Sequence, residues 1–230
     1  MSRSNKRHLV TVANPKSPIA ESYRALRTNV DYSAIDDDMQ LVMVTSAGVG
    51  EGKSTTIANL AVTYAQMDRR VVLVDADMRK PTEHYTFGLS NIVGLSSVIA
   101  QQAELDQVLQ PTSVPNLTVL TSGPVPPNPS EMLGSRRMDA LLQELRGRFD
   151  MVLLDTPPLL AVTDAQILAT KSDGVLLVID YGKVKREIAL QAKASLDKVR
   201  ARILGVVMNN VKRNAKDNYY YYYGSGDIPR

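Results

Sequence analysis

Six short runs of Val, Leu, Ile and Met recur along the chain: LVMVTS (41–46), RVVLVDAD (70–77), LTVLTSG (117–123), MVLLDTPP (151–158), GVLLVIDYG (174–182) and ILGVVMNNV (203–211). Their apolar positions are consecutive rather than alternating, as in strands covered on both faces by helices. Helical periodicity fills the intervals at about 19–33, 53–67, 129–147, 163–171 and 185–201. This alternation predicts an α/β fold with a doubly wound, mostly parallel sheet flanked by helices and right-handed crossovers. Asn128, Pro129 and Glu131 predict a helix start, with Asn128 as N-cap and Glu131 closing a capping box. The preceding GPVPPNP reads as a stiff loop, either a plain connector or a functional one. Neither chain end has a buried-face pattern. A single domain over 1–215 is therefore expected, with a flexible arm at 1–15 and a flexible tail at 216–230.

Composition narrows the classes. The 44% apolar and 22% charged fractions are ordinary for a soluble globular protein. A net charge of +3 is too small and too dispersed to argue for nucleic acid. The absence of cysteine excludes disulfides and thiolate metal sites. No apolar run approaches the roughly 18 residues of a membrane span, and the basic start lacks the apolar core of a signal peptide. A cytoplasmic location is expected.

Chemistry enters after the first run. AGVGEGKSTT (47–56) has the spacing of a phosphate-binding loop between strand and helix, with Ala47 at the first glycine position and Gly52-Lys53-Ser54 closing it. Gly48, Gly50 and Gly52 let the backbone N–H groups of Gly48, Val49, Gly50, Glu51, Gly52, Lys53, Ser54 and Thr55 turn onto phosphate oxygens at the positive end of a helix. Lys53 then reaches the β- and γ-phosphates and Ser54 offers a hydroxyl to Mg²⁺, which makes ATP and Mg²⁺ the expected cofactors. Two further runs end in acids, one in Asp75 and Asp77, the other in Asp155. Strand alternation points Asp75 and Asp77 the same way, toward the crevice at the carboxyl ends. Three carboxylates exceed what binding requires, so one is available as a general base. Alternation does not say which.

Taken together, SAGVGEGKST, VVLVDADMRKP and MVLLDTPP resemble the bacterial protein-tyrosine kinases of the capsule and exopolysaccharide type (BY-kinases). The resemblance continues through ESYRALRTNV, GPVPPNPSEML, PPLLAVTDAQIL and the tyrosine tail, essentially the whole chain. It is nearest to the stand-alone cytoplasmic Gram-positive form, whose transmembrane activator is a separate polypeptide. Val49 departs from the proline often found there, which affects loop stiffness more than chemistry. The resemblance implies an ATP-dependent protein-tyrosine kinase that regulates capsular or exopolysaccharide synthesis and export. Lys53 and Ser54 would hold phosphates and metal. Asp75 would be the leading candidate for the base, and Asp77 and Asp155 would organise Mg²⁺.

Glu21, Arg24 and Arg27, spaced i, i+3, i+6, read by themselves as a solvated helix face. The resemblance instead implies that they join subunits in a ring. The ring would present the tyrosine cluster of one subunit (Tyr219, Tyr220, Tyr221, Tyr222 and Tyr223) to its neighbour's site. Implied partners are the activator's cytoplasmic tail at the inner face of the plasma membrane, a cognate tyrosine phosphatase and other protein substrates. Asn209 and Asn210 are placed to meet adenine, although an Asn pair after a strand is also common turn chemistry. Two other readings stay open. One is a MinD/ParA-like nucleotide-switch ATPase, although Gly48 occupies the place of that class's signature lysine. The other is a non-kinase scaffold with a tyrosine-rich interaction tail.

Overall fold

The computed structural model describes residues 9–33 and 39–212. Its strands are β1 (Leu41–Ser46), β2 (Val71–Asp75), β3 (Leu109–Pro111), β4 (Leu117–Leu120), β5 (Met151–Asp155), β6 (Gly174–Asp180) and β7 (Ile203–Asn209). They form one sheet in the order β3-β4-β2-β5-β1-β6-β7, parallel throughout except for the β3–β4 pair. The helices are α1 (Val10–Ala13), α2 (Pro18–Tyr32), α3 (Lys53–Ala65), α4 (Glu83–Phe87), α5 (Leu95–Ile99), α6 (Leu105–Val108), α7 (Pro129–Gly134), α8 (Arg136–Arg148), α9 (Asp164–Ala169) and α10 (Arg186–Lys198).

The unbroken apolar runs follow from burial on both faces. In β1, Leu41 and Met43 pack into the layer made with α5 to α10, while Val42 and Val44 pack against α2 and α3. Helix α3 puts Ile57, Leu60, Ala61 and Tyr64 into that second layer. Burying each large apolar side chain there contributes about 1.5–3 kcal/mol. Of the described strands, β3 at one edge is antiparallel and ends in Pro111, a residue that edges tolerate. At the other edge β7 leaves Val206 and Met208 about half exposed.

Several expectations are corrected. The 129–147 helix is two helices, because Ser135 ends α7 and caps α8, its Oγ accepting from Met138 N at 3.2 Å. Asn128 makes no side-chain cap and Glu131 closes no capping box. With ψ at 64°, Asn128 lies outside the extended conformation from which a cap side chain reaches the next turn. Within the segment expected as an arm at 1–15, residues 9–15 are described and include α1. Thr11 is buried, and both its N–H and its hydroxyl donate to Asn59 Oδ1, at 3.1 and 2.9 Å.

Candidate active site

The carboxyl ends of β1, β2 and β5 converge because β5 lies between the other two, aligning Asp75 with Asp155 and Val44 with Asp155. The loop after β1 turns into α3 through Gly50 (φ 78°) and Gly52 (φ 93°), in the left-handed region that side chains with a Cβ avoid. A cleft of about 480 Å³ opens above this loop, lined by Gly50, Gly52, Lys53, Ser54 and Asp77 among others. Val49, at the loop tip, also lines it and is largely exposed. Lys53 Nζ donates to Ser54 Oγ (3.1 Å) and pairs with Asp77 Oδ2 (3.1 Å) and Asp155 Oδ1 (3.4 Å). Burial alone would lower its pKa, but the charges of Asp155 and Asp77 outweigh it and hold Lys53 above the usual lysine value.

The three acids have different surroundings. Strand β2 stops at Asp75, so alternation by itself does not fix the direction of Asp77. Asp77 lines the cleft and accepts from Lys80 N at 3.0 Å. Asp75 is fully buried and adds no surface to the cleft. Its Oδ2 accepts from Thr82 N (2.8 Å) and Glu83 N (2.9 Å). Among the described residues, Asp75 Oδ1 and Asp155 Oδ2 have no hydrogen-bond partner. Burial, and then the neighbouring Asp155 charge, push Asp75 up to about 7. Burial likewise raises Asp155. Lys53 thus sits close to two buried acids, Asp75 and Asp155, whose charged forms burial disfavours.

Comparison with known proteins places the chain in a family. A family model described as an AAA domain matches residues 39–203. The chain is 48% identical over 222 residues to tyrosine-protein kinase YwqD of Bacillus subtilis (strain 168), covering 96% of this chain and 93% of that protein. The chain belongs to the bacterial tyrosine-protein kinases. The kinase superposes on the crystal structure of the chimerical protein CapA2B2 with a TM-score of 0.87 and 40% identity, covering 89% of this chain and 90% of that one. The kinase domain of Escherichia coli tyrosine kinase ETK gives a TM-score of 0.87 at 34% identity, covering 94% and 84%. Against the full tyrosine-protein kinase etk of Escherichia coli (strain K12), 36% identical over 213 residues, 92% of this chain spans 29% of that protein. Family membership decides against the MinD/ParA-like and scaffold readings.

Other residues of the kinase fall into place around the cleft. Buried Glu51 accepts from Gly48 N, and from Asp180 N at 3.3 Å, tying the phosphate loop to the end of β6. Asn209 Nδ2 donates to the Glu51 carbonyl at 2.9 Å. Asn210 Nδ2 donates to Asp180 Oδ1 at 2.9 Å. Both asparagines therefore brace the loop region, and neither lines the cleft. Glu21 pairs with Arg24 at 2.7 Å on the exposed side of α2, and Arg24 also donates to the Pro15 carbonyl. Arg27 leaves this stripe and donates to the Thr63 carbonyl of α3 at 3.1 Å. Tyr219 to Tyr223 lie outside the described residues. One constellation escaped the sequence reading. Arg79 forks onto Asp164 (2.9 and 3.0 Å), and Ser130 Oγ donates to the same carboxylate at 2.6 Å.

Proposed function

We propose that this kinase transfers phosphate from ATP to the tyrosines of its own C-terminal cluster, in trans within a ring, and that this state regulates capsular or exopolysaccharide synthesis. The observation that carries the reading is one cleft-lining lysine held by Asp77 at the cleft and by buried Asp155, beside the buried carboxyl of Asp75. The residues fit the cofactor. Gly50, Gly52 and Lys53 offer a phosphate cradle, and Ser54, Asp77 and Asp155 supply the hydroxyl and carboxylates that Mg²⁺ favours. Among the described residues no group of three His or acidic side chains would hold a metal without help. Mg²⁺ would thus also lean on the phosphates. Bound Mg²⁺ neutralises charge on the phosphoryl oxygens.

The chain's own residues do the rest. Lys53 and the loop N–H groups orient the phosphates and offset their charge. A tyrosine phenol with a pKa of about 10 is protonated at neutral pH, so a carboxylate at hydrogen-bond distance assists by accepting its proton. Asp75, tuned to about 7, is the candidate, with Asp77 and Asp155 assigned to the metal. Because Asp75 gives no surface to the cleft, the phenol gains access only if the packing around Thr82 and Glu83 opens.

The same reading places the protein in the cytoplasm at the inner membrane face, recruited by a separate transmembrane activator and reset by a phosphatase. Among the described residues, no helix is long and apolar enough to cross a membrane. The longer relative, of which this chain spans 29%, suggests that a kinase module of this kind works joined to other segments. The test is to incubate the full chain, with and without the activator's cytoplasmic segment, in Mg-ATP and probe for phosphotyrosine. Lys53→Met should abolish labelling, and phenylalanine at positions 219–223 should remove most of it. Equal labelling of the phenylalanine variant would overturn the tail assignment. For the acids, Asp75→Asn should lower kcat and leave the Mg²⁺ dependence unchanged, whereas Asp77→Asn should raise the Mg²⁺ requirement; the opposite pattern would exchange their roles.

A further inference from the structure

The cleft above the phosphate loop has two walls of different chemistry. One carries Lys53, Ser54 and Asp77. The other is apolar, made by Val49 at the loop tip and by Pro157, Pro158, Ala161 and Val162 after β5. Its backbone has little to give an anion. Pro157 and Pro158 have no N–H. The N–H groups around them are committed: Thr156 to the Val44 carbonyl, Leu159 to Ser46 (2.9 Å), Leu160 to Ala47 (3.3 Å) and Ala161 to Pro158 (3.3 Å). From residue 156 to residue 161 no amide donor is left for a ligand. The bonds to Ser46 and Ala47 also lay this segment along the start of the phosphate loop. Val49 and Ala161 are nevertheless exposed, in a cleft whose other wall suits phosphate.

An apolar surface at a polar site fits a ligand with an apolar body and a polar tip. Its place in the cleft narrows the choice. Pro157 comes two residues after Asp155, whose Oδ1 pairs with Lys53 at 3.4 Å. In a loop of this spacing that lysine reaches the β- and γ-phosphates. The wall therefore stands at the γ-phosphate end, and the base of the nucleotide lies a whole triphosphate away from it. A tyrosine ring meets both conditions. Its faces pack on proline and valine, and its hydroxyl projects past the ring toward the phosphoryl group. A serine or threonine hydroxyl, carried on Cβ, would have to bring polar backbone against this donor-free wall.

We propose that Val49, Pro158 and Val162 form a slot for the ring of the acceptor tyrosine, supplied by the cluster at 219–223 of another copy, and that this slot selects tyrosine over serine and threonine. It rests on the kinase reading of the cleft and adds the residues that recognise the acceptor. Binding tests it without requiring turnover. A labelled peptide of residues 213–230 is titrated onto the full chain bearing serine in place of Tyr219 to Tyr223, with Mg²⁺ and the β,γ-imido analogue of ATP. A peptide with phenylalanine at 219–223 should bind within about threefold of it, because the wall reads the ring. With serine there, binding should fall about tenfold or more. Val49→Ser, which retains its backbone N–H, and Val162→Ser should each weaken the tyrosine peptide about 3- to 10-fold, whereas Val162→Leu should keep it. Affinity for the analogue should change less than about twofold in all three, which also shows that they fold.

Unchanged peptide binding in both serine variants would place the acceptor elsewhere and overturn the proposal. A parallel loss of analogue and peptide, with inorganic tripolyphosphate unaffected, would assign the wall to the base and overturn it equally. So would a serine peptide that binds as tightly as the tyrosine peptide. Transfer is read separately, as phosphotyrosine on the peptide. Binding that depends on the wall but gives no phosphotyrosine would overturn the tail as substrate, and with it the acceptor role of the slot. Transfer indifferent to Val49 and Val162 would overturn the slot and leave the kinase reading intact.

Discussion

At the scale of single residues, Asp75 is where fold and chemistry compete. Its carboxyl is buried beside Asp155 and lies near 7, well above the value of about 3.9 in an unfolded chain. Folding therefore takes up a proton between about pH 4 and pH 7, so this group's contribution to stability falls as pH rises through that window. Above about 7 the full cost of burying the charge is present. Asp75→Asn keeps an oxygen to accept from Thr82 and Glu83 and removes the charge. It should melt higher than the parent at pH 8, with the gap shrinking as pH falls to 5, while kinase activity is lost. A gap that stays constant between pH 8 and pH 5 would contradict the assigned titration. In the unaltered chain, phosphotransfer should rise as pH passes upward through about 7.

At the scale of elements, legibility followed the range of the interactions involved. The six apolar runs became strands because burial on both faces leaves an uninterrupted hydrophobic record. Lys53 and the strand-end acids were legible because a glycine-rich loop and a terminal Asp are local patterns. The Arg79–Asp164 pair was not, since its partners are 85 residues apart and no local pattern says that the two side chains meet. The short pieces α1, α4, α5, α6 and β3 span too few residues to establish a period. What holds such pieces is backbone fit. The loop at Gly94 interlocks with the end of β4, where Leu95 N donates to the Thr121 carbonyl and Asn91 exchanges hydrogen bonds with Gly123. A Cβ at Gly94 would lie 2.2 Å from the Thr121 oxygen. Gly94→Ala should cost at least about 1–3 kcal/mol, read as a lower denaturant midpoint. A midpoint equal to the parent's would show that the loop gives way freely.

At the scale of the whole molecule, the ring reading bears on the exposed side of α2. The inner side is committed: Arg27 reaches the Thr63 carbonyl and Tyr64 donates to Asp31 at 3.1 Å. Glu21 and Arg24 remain at the surface. Arg24→Glu would set like charges beside one another and beside any acidic partner surface. Light scattering should then report loss of the assembly, with ADP affinity unchanged. Assembly at the parent's size would remove this face from the interface.

The strand order also has a kinetic side. β5 sits between β1 and β2, yet the bond from the Thr156 hydroxyl to the Val44 carbonyl closes a separation of 112 residues. Until the chain beyond residue 150 is available, β1 and β2 lack the neighbour that holds them side by side. Contacts of such range form slowly, because loop closure precedes any return from pairing. The carboxylates that meet at the ends of β2 and β5 therefore come together only as the central sheet completes. A newly made chain therefore assembles its acid cluster only after β5 is available.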